Sequence, residues 1–361
     1  MPSPPAFLNA IGTALPGHDI HDAFARWARA RIADPAAARL FDRMAGRAAI
    51  GHRWSVLPKA PGGGSPVDAG GFYADGFPGT AARMALYAEH APPLALAAID
   101  ALEDQRAIGG ITHLVVASCT GFVAPGIDQI IARALGLSAS VERLLVGFMG
   151  CYAAVAALRS ARHIVRSDPA ARVLVVTVEL STLHLVETDR VEPLLAMLQF
   201  GDGAAAALVT AEPAGFALGA PFAAALPESD ALITWTIGDA GFVMELSGEV
   251  PARIAGALAD DALVATMTGG AGPGAVDGWA VHAGGRSILD AVEKALELPA
   301  DALDQSRAVL AEAGNMSSAT LMFVLRRLLA GPPVTRGVAL AFGPGLAAEG
   351  FGFASAHEAQ V

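Results

Sequence analysis

Read only for the spacing of its apolar positions, the chain alternates helical and extended stretches from one end to the other. Through the first 50 residues Phe24, Trp27, Ile32, Leu40, Phe41 and Met44 recur at roughly helical spacing, which predicts helix there. Residues 58–79 are crowded with Gly and Pro and predict loop. An alanine-rich helix is predicted from Thr80 to Gln105, broken at Pro92-Pro93 because proline removes a backbone donor and clashes with the turn before it. Ile111 to Ala117 reads as a short strand ending at Ser118-Cys119-Thr120-Gly121, and a second helix follows Pro125-Gly126.

The next stretch carries more information. Leu144 to Val146 reads as a strand, Gly147-Phe148-Met149-Gly150 as a tight turn, and Cys151 to about Val165 as a helix. The apolar run from Val173 to Val178 fits a strand buried on both faces of a sheet. The C-terminal half repeats this order. Gly314-Asn315-Met316-Ser317-Ser318 opens a helix to about Leu329, and Gly337 to Ala341 reads as a second buried strand. Both units run Gly, any residue, Met, a small residue, then Cys or Ser at the helix start, and each reaches its strand about 20 residues later. Two such halves, each alternating strands and helices, predict an α/β fold with mixed sheets sandwiched between helices. The division expected is residues 1–215 and 216–361, with the junction between Glu212 and Pro227.

Composition narrows the class. Of 361 residues 53% are apolar and 16% charged, which is enough for a sizeable core and too little charge for a disordered chain. The start Met1-Pro2-Ser3-Pro4-Pro5 lacks the basic and apolar regions of a signal peptide, and no run of about 18 apolar residues escapes a charge or a proline, so a soluble protein without a membrane span is expected. Cys119 and Cys151 are the only cysteines, too few for a disulfide framework or a cysteine-rich zinc site. Free thiols in a reducing, cytoplasmic compartment are the expectation. A net charge of −11 argues against nucleic acid as a partner. One stretch breaks the acidic balance: between Arg26 and Arg53 lie Arg29, Arg31, Arg39, Arg43 and Arg47, either a cationic patch for a small polyphosphate or a solvated helix face.

Three positions stand out for chemistry. At a predicted helix start, unpaired N–H groups and the helix dipole favour a thiolate, so Cys151 is a candidate nucleophile; residue type alone would equally make it a small buried side chain. His282 follows a predicted strand, Trp279 to Val281, and precedes Gly284-Gly285 and a capped helix from Ser287 to Leu296, which places it where a loop leaves a sheet. Asn315 occupies in its turn the position of Phe148 in the other; a helix N-cap is its alternative role.

The strings Gly147-Phe148-Met149-Gly150-Cys151-Tyr152-Ala153, Phe200-Gly201-Asp202-Gly203-Ala204-Ala205-Ala206, Val281-His282-Ala283-Gly284-Gly285, Gly314-Asn315-Met316-Ser317-Ser318-Ala319 and Phe342-Gly343-Pro344-Gly345-Leu346 together resemble the motifs of type III polyketide synthases, the chalcone synthase-like enzymes. Order and spacing fit across roughly residues 5–355. The resemblance implies a thiolase-like, five-layered αβαβα fold, a homodimer, and a buried cavity in which Cys151, His282 and Asn315 meet at the end of a coenzyme A tunnel. Acyl-CoA and malonyl-CoA would be substrates, with no metal and no bound cofactor. Phe200 would match an aromatic gatekeeper and Leu185 a second, here aliphatic. Cys119, Ser317, Phe342, Gly343 and Pro344 would shape the substrate pocket. Arg43, Arg47, Gly284 and Ser287 would contact coenzyme A, while Leu40 departs from a third basic position. By the same resemblance, Leu185 and the small Ala124 favour a fatty acyl starter and an alkylpyrone or alkylresorcinol product. A single condensation of the ketoacyl or hydroxymethylglutaryl synthase type, or a non-catalytic acyl-CoA-binding protein, are the alternatives.

Overall fold

A computed structural model describes residues 4–356, so Met1-Pro2-Ser3 at the N-terminus lie outside it. Nine strands form one hydrogen-bonded sheet in the order Gly278–Val281, Gly337–Gly343, Ala347–Ser355, Phe216–Ala225, Phe7–Ala14, Asp202–Thr210, Val173–Leu180, His113–Ser118 and Glu142–Gly147. The join between its first four strands and its last five is narrow. Only Phe7↔Ala217 and Leu8↔Phe216 pair across it, so the sheet acts as two, one from each half of the chain.

Helices Ala153–Ser167 and Ser318–Leu329 lie between these two sheets and touch strands of both. Helix Thr80–Glu103 covers the outer face of one sheet, and Arg286–Ala295 belongs to the apolar layer outside the other. The five layers of the thiolase-like fold follow. Strand periodicity explains the buried runs. Val173 and Val175 face the central helices while Leu174, Val176 and Val178 face the outer ones, and Ala339 and Ala341 alternate likewise with Val338, Leu340 and Phe342. A strand apolar at every position is what a sheet covered on both sides requires.

The repeated turn is visible in the backbone as well as in the letters. Gly150 and Ser317, equivalent in the two strings, both take a positive φ, 69° and 48°, immediately before their helices turn in between the sheets. Each central helix then leads into a central strand, Val173–Leu180 in one half and Gly337–Gly343 in the other.

Three sequence expectations need correction. The first 50 residues are not helix throughout. Phe7–Ala14 is a strand, buried from Phe7 to Gly12 and paired on both sides, whereas the helical spacing holds for helices His21–Arg31 and Pro35–Arg47. Asp34 starts the second of these by accepting from Ala37 N at 2.7 Å, with Pro35 at its first position. Pro92-Pro93 do not break helix Thr80–Glu103, which runs through them. A proline inside a helix costs about 3 kcal/mol, and here Ala91, Pro92, Leu94, Ala95, Ala98 and Ile99 are all buried, so packing outweighs it. The helix expected from Ser287 to Leu296 spans Arg286–Ala295, and Gly285 before it supplies no side-chain cap.

The close approach of helix Thr80–Glu103 to strand Phe7–Ala14 depends on Gly12, where an added Cβ would lie 2.2 Å from Leu102 N and 2.3 Å from Ala98 O. Both are backbone atoms and cannot rotate away. Gly12→Ala should therefore lower stability by about 2 kcal/mol or more, read as a drop in the midpoint of urea unfolding. An unchanged midpoint would mean that the helix rests less closely on the sheet.

Candidate functional site

The two equivalent turns end side by side, and their chemistry meets there. Cys151 sits in a short 3-10 turn, Gly150–Tyr152, just before helix Ala153–Ser167. Its Sγ lies 4.0 Å from Oδ1 of Asn315. Gly150 admits no side chain, since a Cβ would fall 2.4 Å from Pro344 Cδ; Gly343 likewise leaves room for the ring of Tyr152. Tyr152 donates from its hydroxyl to Pro344 O at 3.1 Å, closing the Phe342-Gly343-Pro344 segment over the turn.

Asn315 is not a helix cap. It lies three residues before helix Ser318–Leu329 and pairs through its backbone with residues 199–201, donating to Gln199 O at 2.8 Å and accepting from Gly201 N at 3.0 Å. Its Oδ1 accepts from Ser317 N at 2.8 Å, and its Nδ2 donates to Gly284 O at 3.2 Å. One hydrogen of the amide is thereby held and the other is left for a ligand. His282 leaves strand Gly278–Val281 with its N–H bonded to Leu340 O, and both of its ring nitrogens are buried with no partner among the described residues. A buried polar group without a partner is unfavourable until something supplies one.

Cys151, His282 and Asn315 line one cavity of about 40 Å³ together with Cys119, Phe200, Ser317, Gly284 and the Phe342-Gly343-Pro344 segment. Leu185 does not line it. Leu185 lines an adjoining apolar cavity of about 230 Å³ that shares Ser181, Phe200, Trp235 and Met244 with the first. Arg47 and Ser287 border a cleft outside, and Arg43 is exposed one helical turn before Arg47. Ser287, Leu40 and Met44 line a groove of about 680 Å³. Leu246 and Ile288 border both this groove and the catalytic cavity, so the two are neighbours.

The arginine-rich stretch divides on folding. Arg29 pairs with Asp42 and Arg31 with Glu187, both at 3.0 Å, and Arg53 is buried. One basic residue that the sequence reading missed joins Arg47 instead: Arg286, at the start of helix Arg286–Ala295, donates to Arg47 O at 3.3 Å.

Burial decides the electrostatics. The helix-start position alone favours a low thiol pKa, yet burial pushes the Cys151 thiol up to about 12, and the nearby Glu179 carboxyl adds to the rise. Burial also pushes His282 down to about 3. The resting pair is therefore a neutral thiol and a neutral imidazole. Glu179 is another residue that sequence reasoning missed. It accepts from Cys119 N and Thr120 Oγ1, each at 2.9 Å, and from Ser318 Oγ, so it ties a strand end to the start of the second central helix. Burial pushes its carboxyl up to about 7 against those bonds. Its signal was a lone acid in the apolar strand Val173–Leu180. Cys119 does more than line the wall: its Sγ accepts from Gly150 N at 3.0 Å and supports the Cys151 turn. His184 and Trp235 hold the cavity from the other side. The Trp235 indole donates to Cys119 O at 2.9 Å, and the imidazole of His184 bonds Thr120 O and Phe242 N while stacking on Phe242 at 4.2 Å.

A buried thiol, an unpaired imidazole and an oriented carboxamide in one dry cavity can accept an acyl group and stabilise charge on a thioester oxygen. That is the equipment of a condensing acyltransferase on a thiolase-like scaffold. The chain belongs to the chalcone and stilbene synthase family, the type III polyketide synthases, whose N-terminal domain description matches residues 2–213 and whose C-terminal one matches residues 220–356. It is an acyltransferase of the decarboxylative condensation type. The "Alpha-pyrone synthesis polyketide synthase-like Pks18" of Mycobacterium tuberculosis is 36% identical over 289 residues, covering 75% of this chain and 72% of that protein. "Type III polyketide synthase C" of Arabidopsis thaliana is 33% identical, covering 68% of each. Among solved structures, PKS-I from the brown alga Ectocarpus siliculosus superposes with a TM-score of 0.88 at 29% identity, over 98% of this chain and 99% of that one.

Among the described residues no cluster of three or more His, Cys, Asp or Glu side chains could hold a metal ion, and no helix is long and apolar enough to cross a membrane.

His184 gives a testable titration. Burial lowers its pKa from 6.5 to about 4, so on acidification the unfolded chain binds that proton first, and stability is lost as pH falls from 6.5 towards 4. His184→Gln removes this contribution. Urea unfolding between pH 7 and pH 4.5 should show a shallower acid loss for the variant, by up to ~1.4 kcal/mol per pH unit. Equal slopes would mean that His184 titrates alike in the folded and unfolded chain.

Proposed function

We propose that Cys151 carries the growing acyl chain, that His282 and Asn315 stabilise the malonyl enolate, and that the starter is a fatty acyl-CoA. On loading, the neutral imidazole of His282 takes the thiol proton as Sγ attacks the thioester carbonyl, and the coenzyme A thiolate leaves with that proton. The acyl group is now a thioester of Cys151. Malonyl-CoA then presents its thioester oxygen to the protonated or donor nitrogen of His282 and to the unused Nδ2 hydrogen of Asn315. Carbon dioxide departs, and the electron pair left on carbon delocalises onto that oxygen, where each donor in a dry site contributes about 3 kcal/mol. The enolate carbon attacks the Cys151 thioester, Cys151 leaves as thiolate, and return of the lengthened chain to Cys151 starts another round. Coenzyme A thioesters are the only small molecules this scheme needs besides protein groups.

The observation that carries the starter assignment is the apolar cavity of about 230 Å³ beside a catalytic cavity of only about 40 Å³. The charged residues Arg53, Glu187, Arg190 and Glu245 border the larger one, Phe200 lines both, and Leu57, Val67, Leu185 and Met197 give the larger one its apolar walls. An alkyl tail leaving Cys151 past Phe200 would exchange water for these side chains. The name of the mycobacterial relative points to α-pyrone synthesis in that protein, and an alkylpyrone or alkylresorcinol is the product proposed here. The groove beside Leu40, Met44 and Ser287 would take the pantetheine arm, Gly284 its inner end, and Arg43, Arg47 and Arg286 the phosphates. Leu144, Leu145 and Phe122, each more than 40% exposed on or beside the edge strand Glu142–Gly147, offer a face for a second copy in a homodimer. The two free, buried thiols suit a reducing cytoplasm.

Each buried methylene contributes about 0.8 kcal/mol, so with malonyl-CoA as extender kcat/KM for decanoyl-CoA should exceed that for butanoyl-CoA by at least about tenfold. Leu185→Trp, which narrows the tail cavity, should erase that preference and leave release of carbon dioxide from malonyl-CoA intact. Preference for the short starter would remove the fatty acyl assignment, and a linear single-condensation product would remove the cyclising one.

A further inference from the structure

Arg53 takes no chemical step in the scheme above, yet it borders the tail cavity and is among the largest fully buried side chains. Its guanidinium lies 4.6 Å over the ring of Phe24 and donates through Nε to Nδ1 of His21 at 3.1 Å. Nη1 donates to two carbonyls of one short segment, Met197 O at 3.0 Å and Phe200 O at 2.7 Å. The other edge of that segment is the backbone of Asn315, through Gln199 O and Gly201 N. Close packing leaves little slack, for a Cβ on Gly314 would meet Arg53 Cγ at 3.0 Å and one on Gly201 would meet Ala313 O at 2.8 Å. Residues 197–201 thus form a strap with Arg53 on one side and Asn315 on the other, and Phe200, which borders both cavities, hangs from it.

From this we infer that Arg53 is a positioning residue for the reaction: it fixes the strap, and through the strap both the Phe200 ring between the cavities and the carboxamide of Asn315. Taking a guanidinium out of water is unfavourable. Its planar group donates from Nε to His21 and from Nη1 to two carbonyls while lying over Phe24, a combination a lysine cannot reproduce. The carboxylates of Asp19 and Asp202 supply the opposing charge. Asp202 follows the strap directly and is itself held by Val56 N and Thr182. The roles of Phe200 and Asn315 used here rest on the function proposed above.

The test compares wild type, Arg53→Lys and Arg53→Met with malonyl-CoA and a mixture of acyl-CoA starters, turnover being expressed per Cys151 that takes an acyl label. Displacement of a positioned group by about 1 Å costs on the order of a hundredfold; Arg53→Met should accordingly lose at least about tenfold in kcat per labelled site. KM for malonyl-CoA should change less than kcat does, because of the strap residues only Gln199 lines the coenzyme A groove. The ratio of products by starter and by number of extensions should shift, and Arg53→Lys should fall between the two. A merely structural arginine would reduce the fraction of labelled enzyme and leave the turnover per labelled site unchanged; that turnover decides, since Arg53 borders the tail cavity and can move the product ratio directly. That result in Arg53→Met, or in Arg53→Lys where the methionine variant does not fold, would overturn the inference. Failure of the underlying function is distinguishable, since wild type itself would then form no extended product.

Discussion

Two helices have to fit between two sheets, and the rest of the molecule depends on that fit. Helix Ala153–Ser167 begins Ala153, Ala154, Val155, Ala156, Ala157, all buried, and helix Ser318–Leu329 begins with buried Ser318, Ala319 and Thr320. Small side chains on every face let each helix lie against both sheets, where an ordinary amphipathic helix could satisfy only one. The two helix starts are brought close, and so are the turns that precede them. Cys151 and Asn315 meet for that reason, within 4.0 Å, although 164 residues separate them. Gly150, Gly343 and Cys119 are adjustments to the same confinement, since each allows a neighbouring backbone or ring to come near the Cys151 turn.

Confinement also sets the chemical character of the site. Burial disfavours the charged forms of thiol and imidazole alike, and the resting groups are neutral. In the mechanism proposed above, proton transfer from Cys151 to His282 therefore accompanies thioester attack. The unpaired imidazole and half-used carboxamide are polar groups that the fold leaves unsatisfied. In the proposed mechanism a thioester oxygen acquiring negative charge satisfies them better than a neutral one does, the kind of difference between ground and transition state that accelerates a reaction. Glu179 shows the same confinement from another side: its carboxyl is buried near both thiols, bonded to Cys119 N, Thr120 and Ser318, and raised to about 7.

Much of this was legible in the chain. Period-2 runs such as Val173–Leu180 and Gly337–Gly343 are apolar at almost every position because both faces are covered, and the echo of Gly147-to-Cys151 in Gly314-to-Ser318 is the two-half architecture written in letters. Cys151, His282 and Asn315 were found through their strings, and the structure brings them into one cavity. What stayed hidden depends on contacts distant in sequence. Phe7–Ala14 reads poorly as a strand because its partners, Asp202–Thr210 and Phe216–Ala225, lie some 200 residues away. The prolines of helix Thr80–Glu103 obey local rules that burial overrides. Arg53 looked like one more member of a basic patch, and only the fold shows it turned inward. Leu185 was placed in one substrate pocket with Cys151, whereas it lines an adjoining cavity that shares Ser181, Phe200, Trp235 and Met244 with that of Cys151.

The central claim is a division of labour: Cys151 holds the acyl group, and His282 with Asn315 stabilises the enolate. Intact-protein mass spectrometry after brief exposure to acyl-CoA, combined with carbon dioxide release from malonyl-CoA, measures the two tasks separately on Cys151→Ala. The account predicts no acyl adduct and no polyketide from this variant, with decarboxylation still measurable and lost instead in His282→Ala and Asn315→Ala. An acyl adduct on Cys119 of the Cys151→Ala protein, or full product formation by it, would contradict the account.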